Sequence, residues 1–472
     1  MWDKNKNGPM KKIRKHGAFF IILAVFATTT AGLFGSFYFF REGAPSAIAA
    51  TCPFVDNDAN DSDATVGTYS LNANYSVPAA ATAYDCTSGS GITTFIVPNA
   101  VKLTLLGNTG TGEIARVDFT NLTVNSGGTI SADFGGCAWG EPSYAPNGSN
   151  VCTSGATGSA GRNGGGGGGG HGGPGGTSGY ISGLGGATYD SPTAPVLFGA
   201  GGGASGSGAY GGGVVRLNVT GTFTHNGSIT ADGQNASAAS TYGGGAGGSI
   251  YITTATINGT TGTFSADGGN GAGGSFYGGG GGGGRIALVH QGGSFTFSSS
   301  AFTVSGGASG GGTAVAGTKG TVYVVNTQGT GPTTDDEVTI YHGFTYEDVD
   351  YSVGYWIVDA SATNQYCAST AVTPSISAGA IKIGGTLTCG PDSVNSGQNA
   401  TGVTSFNLSA SSSFDALAST SWSLTNTNAD MDWNIPAGDN QTWTNVTVTG
   451  PKEGDFTIND AVAITLSGTS AV

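Results

Sequence analysis

Two runs of the form D-x-D-x-N, Asp56-Asp58-Asn60 and Asp430-Asp432-Asn434, carry the oxygen ligands that open a calcium loop. Asp61 and Asp63 crowd the first, so Asp56, Asp58, Asn60 and Asp63 are the candidate cation ligands. A full loop needs glycine at its sixth position and glutamate at its twelfth. Asp61 and Gly67 stand there in the first run, Ile435 and Gln441 in the second. Solvated loop carboxylates are therefore the competing reading. Asp133, Asp232 and Asp267 recur at equivalent places in similar phrases. Stacked, they offer carboxylates to calcium; singly, an Asp-Gly pair ends a strand in a turn. Trp422, Trp433 and Trp443 are spaced so that successive strands would align them as a strip for stacking sugar rings, or bury them as packing.

Catalytic patterns are thin. Gly307-Ala308-Ser309-Gly310-Gly311 matches a nucleophile elbow, but chance supplies that match in so glycine-rich a chain, and no strand-to-helix context surrounds it. His171, His225, His290 and His342 show no metal-ligand spacing. Polysaccharide hydrolysis needs paired carboxylates, and elimination needs an acid/base beside cations. Residues 114–326 offer Arg116, Arg162, Arg216, Arg285 and Lys319, and Arg216 and Arg285 fall at different offsets in their units. No catalytic set is assigned.

Six cysteines, Cys52, Cys86, Cys137, Cys152, Cys367 and Cys389, fall into three sequence-local pairs. Proximity suggests disulfides 52–86, 137–152 and 367–389 among fifteen connectivities. Such usage fits an oxidising compartment. The N-terminus agrees. Lys11, Lys12, Arg14 and Lys15 precede an apolar stretch from Ala18 to Phe40, and Ala47-Ile48-Ala49 follows. This order reads as a secretory signal over 1–49; the length of the apolar run also suits an uncleaved signal-anchor helix. Either way the remainder is exported, and the only membrane contact expected is through this segment. Beyond residue 49 there are 8 basic against 27 acidic residues, a balance that repels nucleic acid.

The elements that must position these groups are repetitive. Glycine supplies 89 of 472 residues, more than twice the usual share of about 7%. Interior glycine disfavours helix by roughly 1 kcal/mol each. Four short strands each follow a glycine: Val214-Val215-Arg216-Leu217, Ser249-Ile250-Tyr251-Ile252, Arg285-Ile286-Ala287-Leu288 and Thr321-Val322-Tyr323-Val324. Alternate residues are apolar, the pattern of a strand with one buried face. A second phrase recurs as Ile130-Ser131-Ala132-Asp133, Ile229-Thr230-Ala231-Asp232 and Phe264-Ser265-Ala266-Asp267, with Phe302-Thr303-Val304-Ser305 a looser copy. Ala115-Arg116-Val117-Asp118-Phe119 resembles the first phrase. One unit cannot bury its apolar face alone, whereas stacked units can.

The expected fold is all-β: a right-handed parallel β-helix or related β-solenoid, with glycine-rich excursions that pack as extended polyglycine-like segments. A β-propeller is the rival. The signal or anchor occupies 1–49, an N-terminal β cap region 50–113, and the repeats 114–326 with an insertion at about 134–212. An acidic, tyrosine-rich connection spans 327–375 and a further all-β region 376–472. The stretch GGGGGGGHGGPGG at 164–176, and the phrases GGSIYI and GGGGGGGRIALVH, resemble the glycine-rich repeats of large secreted bacterial surface proteins. That resemblance implies a β-solenoid at a cell surface and carries no catalytic residues. The expected role is a surface structural or adhesive protein meeting extracellular polysaccharide, matrix or neighbouring surface proteins, with calcium the only cofactor considered. A carbohydrate-active parallel β-helix enzyme and an ice- or mineral-binding protein are the alternatives.

Overall fold

The computed structural model describes residues 49–359, apart from 56–60, 62–65, 89, 141–143, 155–165, 180–182, 204–208, 238–241, 274–276, 293–294, 328–335 and 347–349. Beyond 359 it describes Ser361 and the backbone of separate strands. Among the described residues the chain is nearly all β, and its single helical turn is the 3-10 turn Ser299–Ala301.

Alternation sets the strands, and their pairing is parallel. The first ladder takes, in chain order, Ala50–Thr51, Tyr84–Asp85, Arg116–Phe119, Val214–His225, Ser249–Asn258, Arg285–Gly292 and Thr321–Asn326. A second takes Thr68–Ser70, Thr94–Val97 and Asn121–Val124, and then the later halves of Val214–His225 and Ser249–Asn258. Those two long strands pass from one ladder to the next at a register shift between Val219 and Thr222, where the pleat is broken and the chain turns. The third ladder is a sheet of six parallel strands: Tyr75–Val77, Lys102–Leu105, Thr129–Ser131, Ser228–Thr230, Thr263–Ser265 and Phe302–Thr303.

Register puts like residues on like. Val215, Ile250, Ile286 and Val322 are successive partners, as are Val117, Leu217, Ile252, Leu288 and Val324. In the third ladder Leu103, Ile130, Ile229, Phe264 and Phe302 follow one another. All of these are buried, and together with Phe95, Phe119 and Phe223 they form one apolar core between the ladders. Each such side chain contributes about 1.5–3 kcal/mol through burial. The strands up to Leu105 pair in these same ladders, and Gly107–Asn108 makes a separate antiparallel pair with Glu113–Ile114. Phe54 lies against Tyr69, Tyr75 and Phe95 at the N-terminal end of the core.

After Thr321–Asn326 the direction reverses, because Glu337–Tyr341 pairs with it antiparallel. Parallel pairing then resumes through Asp350–Val358, Ser375–Ile383 and Ser405–Ala416 to the short strands ending at Ile464–Ser467. The acidic stretch read from composition as a connection thus carries strands. Its apolar residues alternate, as in Val338 and Ile340, both buried.

Candidate functional site

The glycine tracts form the most distinctive structure. Take Gly279–Gly284. Its N–H groups donate in order to the carbonyls of Gly166, Val315, Gly269, Gly169, Thr318 and Ala266, at 2.7–3.1 Å. The acceptor segment repeats at every third residue: 166 then 169, 315 then 318, 269 then 266. Its carbonyls accept from Gly244, Gly176, Gly307, Gly247, Gly173 and Thr321, with a period of three for the segments of Gly244–Gly247 and Gly173–Gly176. The segment therefore has six hydrogen-bonded neighbours. Gly243–Gly248 repeats the pattern, donating to Gly203, Gly279, Gln234, Ala200, Gly282 and Ala231. Close approach is what demands glycine here. A Cβ on any residue from Gly279 to Gly284 would collide with the backbone of a neighbouring segment, for Gly282 the Gly173 carbonyl.

A polar cluster ties the insertion to the ladders. His171 is fully buried, with Nδ1 2.8 Å from the Gly247 carbonyl and Nε2 3.3 Å from the Asp190 carboxylate. Asp190 also accepts from the backbone N–H of Ser191, Val196 and Leu197 and from the Ser249 hydroxyl. Its positive φ of 71° is a conformation that aspartate tolerates better than most residues. Arg285, also fully buried, donates to the Tyr189 carbonyl at 2.8 Å and to the Thr321 hydroxyl at 3.1 Å. Burial pushes the Tyr189 phenol well up. Among the described residues these groups are buried where the insertion, the ladders and the glycine array meet.

The recurrent aspartates stack. Asp133 accepts from the Asp232 N–H at 2.9 Å and from the hydroxyls of Ser131 and Thr230. Asp232 accepts from the Asp267 N–H at 2.7 Å and the Ser265 hydroxyl, and Asp267 from the Ser305 N–H. Each carboxylate thus closes a strand end onto the next strand. Burial, and beyond it the charges of Asp133 and Asp267, push Asp232 up to about 6, against the hydrogen bonds from Ser265 and Asp267. Among the described residues no three groups are placed to hold a metal ion.

Two cysteine pairs are joined, Cys52–Cys86 and Cys137–Cys152, with Cα–Cα distances of 4.9 and 5.5 Å. Cys389 lies outside the described residues, and of Cys367 the backbone alone is described. Asp56, Asp58, Asn60 and Asp63 also lie outside; their neighbour Asp61 accepts the Ser70 N–H at 3.0 Å. Trp422 lies outside as well. Trp433 and Trp443 stand on Asp432–Ile435 and Gln441–Thr444, again described by backbone alone. No described helix is long and apolar enough to cross a membrane, and residues 1–48 are outside the described set.

The outer face of the first ladder holds a grouping that sequence reasoning missed. Arg116 and Arg216 are register partners, and Tyr251 continues their column. In the next column Asp85, Asp118, Asn218 and Thr253 follow one another. Arg116 Nε lies 3.3 Å from Asp118, the Arg216 guanidinium lies 5.9 Å from the Tyr251 ring centroid, and Thr253 donates to Asn218 at 2.9 Å. Burial raises Asp118 although Arg116 opposes it; hydrogen bonds led by Thr87 lower Asp85. The signal was present, since Ala115–Phe119 resembles the later strands, but the intervening insertion hides the alignment. No family model, curated protein or solved structure matches the chain.

Proposed function

We propose that this is an exported surface protein with a structural or adhesive role, built as a parallel β-solenoid. In this reading each tier gives one strand to each ladder, and the glycine tracts run beside them as an array of three-residue-per-turn, polyproline-II-type helices. The observation that carries the proposal is the period-three hydrogen bonding of Gly279–Gly284 and Gly243–Gly248. It uses backbone alone, so the material between the ladders and the surface is rigid and chemically inert. The cross-links Cys52–Cys86 and Cys137–Cys152 suit an oxidising exterior.

Contact with a partner falls to the edges of the array. Tyr144, Leu184, Tyr210, Tyr277 and Val315 are exposed large apolar side chains, and all belong to glycine-rich or insertion segments. Tyrosines so placed are amphipathic contact residues. The test has two arms. A reporter fused behind residues 1–49 is expected to cross the membrane; retention in the cytosol overturns export. The full chain is screened on extracellular polysaccharides for binding and for sugar release. Binding that falls in Tyr210→Ala and Tyr277→Ala, at unchanged melting temperature, supports adhesion. Release of sugars replaces it with an enzyme.

A further inference from the structure

We propose that the outer face of the first ladder around Arg116 and Arg216 is a binding site for a linear saccharide bearing carboxylates, a uronic-acid chain lying along the stacking axis. The inference needs neither export nor adhesion by the glycine array.

The grouping is costly as mere surface. Like charges directly opposite on neighbouring strands are destabilising. This face has two such pairs side by side, Arg116 on Arg216 and Asp85 on Asp118. Only 8 basic residues follow residue 49, so two in direct register concentrate cations in a strongly acidic chain. Their surroundings orient them. Asp118 holds Arg116 through Nε, and the Tyr251 ring lies beneath the Arg216 guanidinium. Guanidinium is the group whose planar fork matches a carboxylate. The face is open to a ligand: the Arg116 side chain is 35% exposed, and Arg216, Asn218, Tyr251 and Thr253 are partly exposed.

The neighbouring column selects a saccharide over other polyanions. Asn218 and Thr253 are adjacent in that column, about 4.8 Å apart at strand spacing, and bring an amide and a hydroxyl beside the two arginines, while Asp118 separates them from Asp85. A ligand with carboxylates on one edge and hydroxyls on the other satisfies both columns. An acidic peptide satisfies only the arginines, and its remaining carboxylates would meet Asp85 and Asp118.

The experiment is calorimetric titration of the full chain with a uronic-acid hexamer, a neutral hexamer of the same length, and poly-glutamate, at low and high salt. The uronic-acid hexamer is expected to bind at low salt and to weaken as salt rises. Arg216→Gln and Arg116→Gln are each expected to weaken it about tenfold or more, and Arg216→Lys to fall between because it keeps charge without the fork. Melting curves of each variant confirm folding. If a variant does not fold, Asn218→Leu, which removes hydroxyl recognition and no charge, is expected to weaken the hexamer and spare any poly-glutamate binding. Absence of binding at millimolar hexamer, equal binding of the neutral hexamer or of poly-glutamate, or binding unchanged in the folded arginine variants overturns the proposal.

Discussion

His225 sits fully buried among Phe223, Phe264 and Phe297, with Nε2 3.1 Å from the Thr263 carbonyl and Nδ1 without a partner. Burial lowers it to about 4, so the folded state prefers the neutral ring more than the unfolded chain does. Its stabilising share is present above about 6.5 and lost as pH falls through 4, roughly 3 kcal/mol in all. Asp232 runs the other way. Raised to about 6, it gives stability below about 3.8 that is lost as pH rises through 6. Denaturant melts from pH 4 to 7 should therefore show His225→Phe losing the acid sensitivity of the parent. Asp232→Asn should gain stability over the parent at pH 7 and little at pH 4. Reducing Cys52–Cys86, which spans 34 residues, is expected to remove about 3–4 kcal/mol, read as a lowered denaturation midpoint. Two of the cysteine pairs, Cys52–Cys86 and Cys137–Cys152, were legible because a short loop closes readily; the Arg116–Arg216 grouping was not, because the register that makes it spans an insertion.

At the scale of elements, strands and glycine tracts differ in what their sequence displays. The alternation of Ile250, Ile252, Ile286 and Leu288 announces both a strand and its buried face, and the recurrent phrases announce their partners. A glycine run has no side chains to alternate, so nothing in it names the segments to which it bonds. Its intolerance can be tested. Gly282→Ala places a methyl against the Gly173 carbonyl and is expected to destabilise by about 2–3 kcal/mol, despite the loss of chain entropy that favours alanine. Gly148→Ala meets nothing within 4 Å and is expected to be neutral or stabilising by under about 1 kcal/mol. Thermal melts of the two variants against the parent separate packing from flexibility. Equal effects would show that the array is loose.

For the whole molecule, the repeat makes length adjustable. Removing residues 249–284 takes out Ser249–Asn258, which runs through the first and second ladders, and Thr263–Ser265 of the third, and lets Val215 meet Ile286 in the old register. That variant is expected to keep a cooperative β-sheet melt at lower temperature, while removing 249–266 alone should abolish it, because Gly248 is then followed by an incomplete tier. Circular dichroism of the two deletions decides. The six-neighbour bonding of Gly279–Gly284 has a mechanical consequence. A β ladder pulled from its edge unzips, breaking one bond at a time along a single line. A segment bonded on six sides has no free edge from which peeling could start, whatever the direction of the load. Under tension between its ends, the molecule should surrender its short C-terminal strands at low force, and the glycine array last, in a single abrupt rupture.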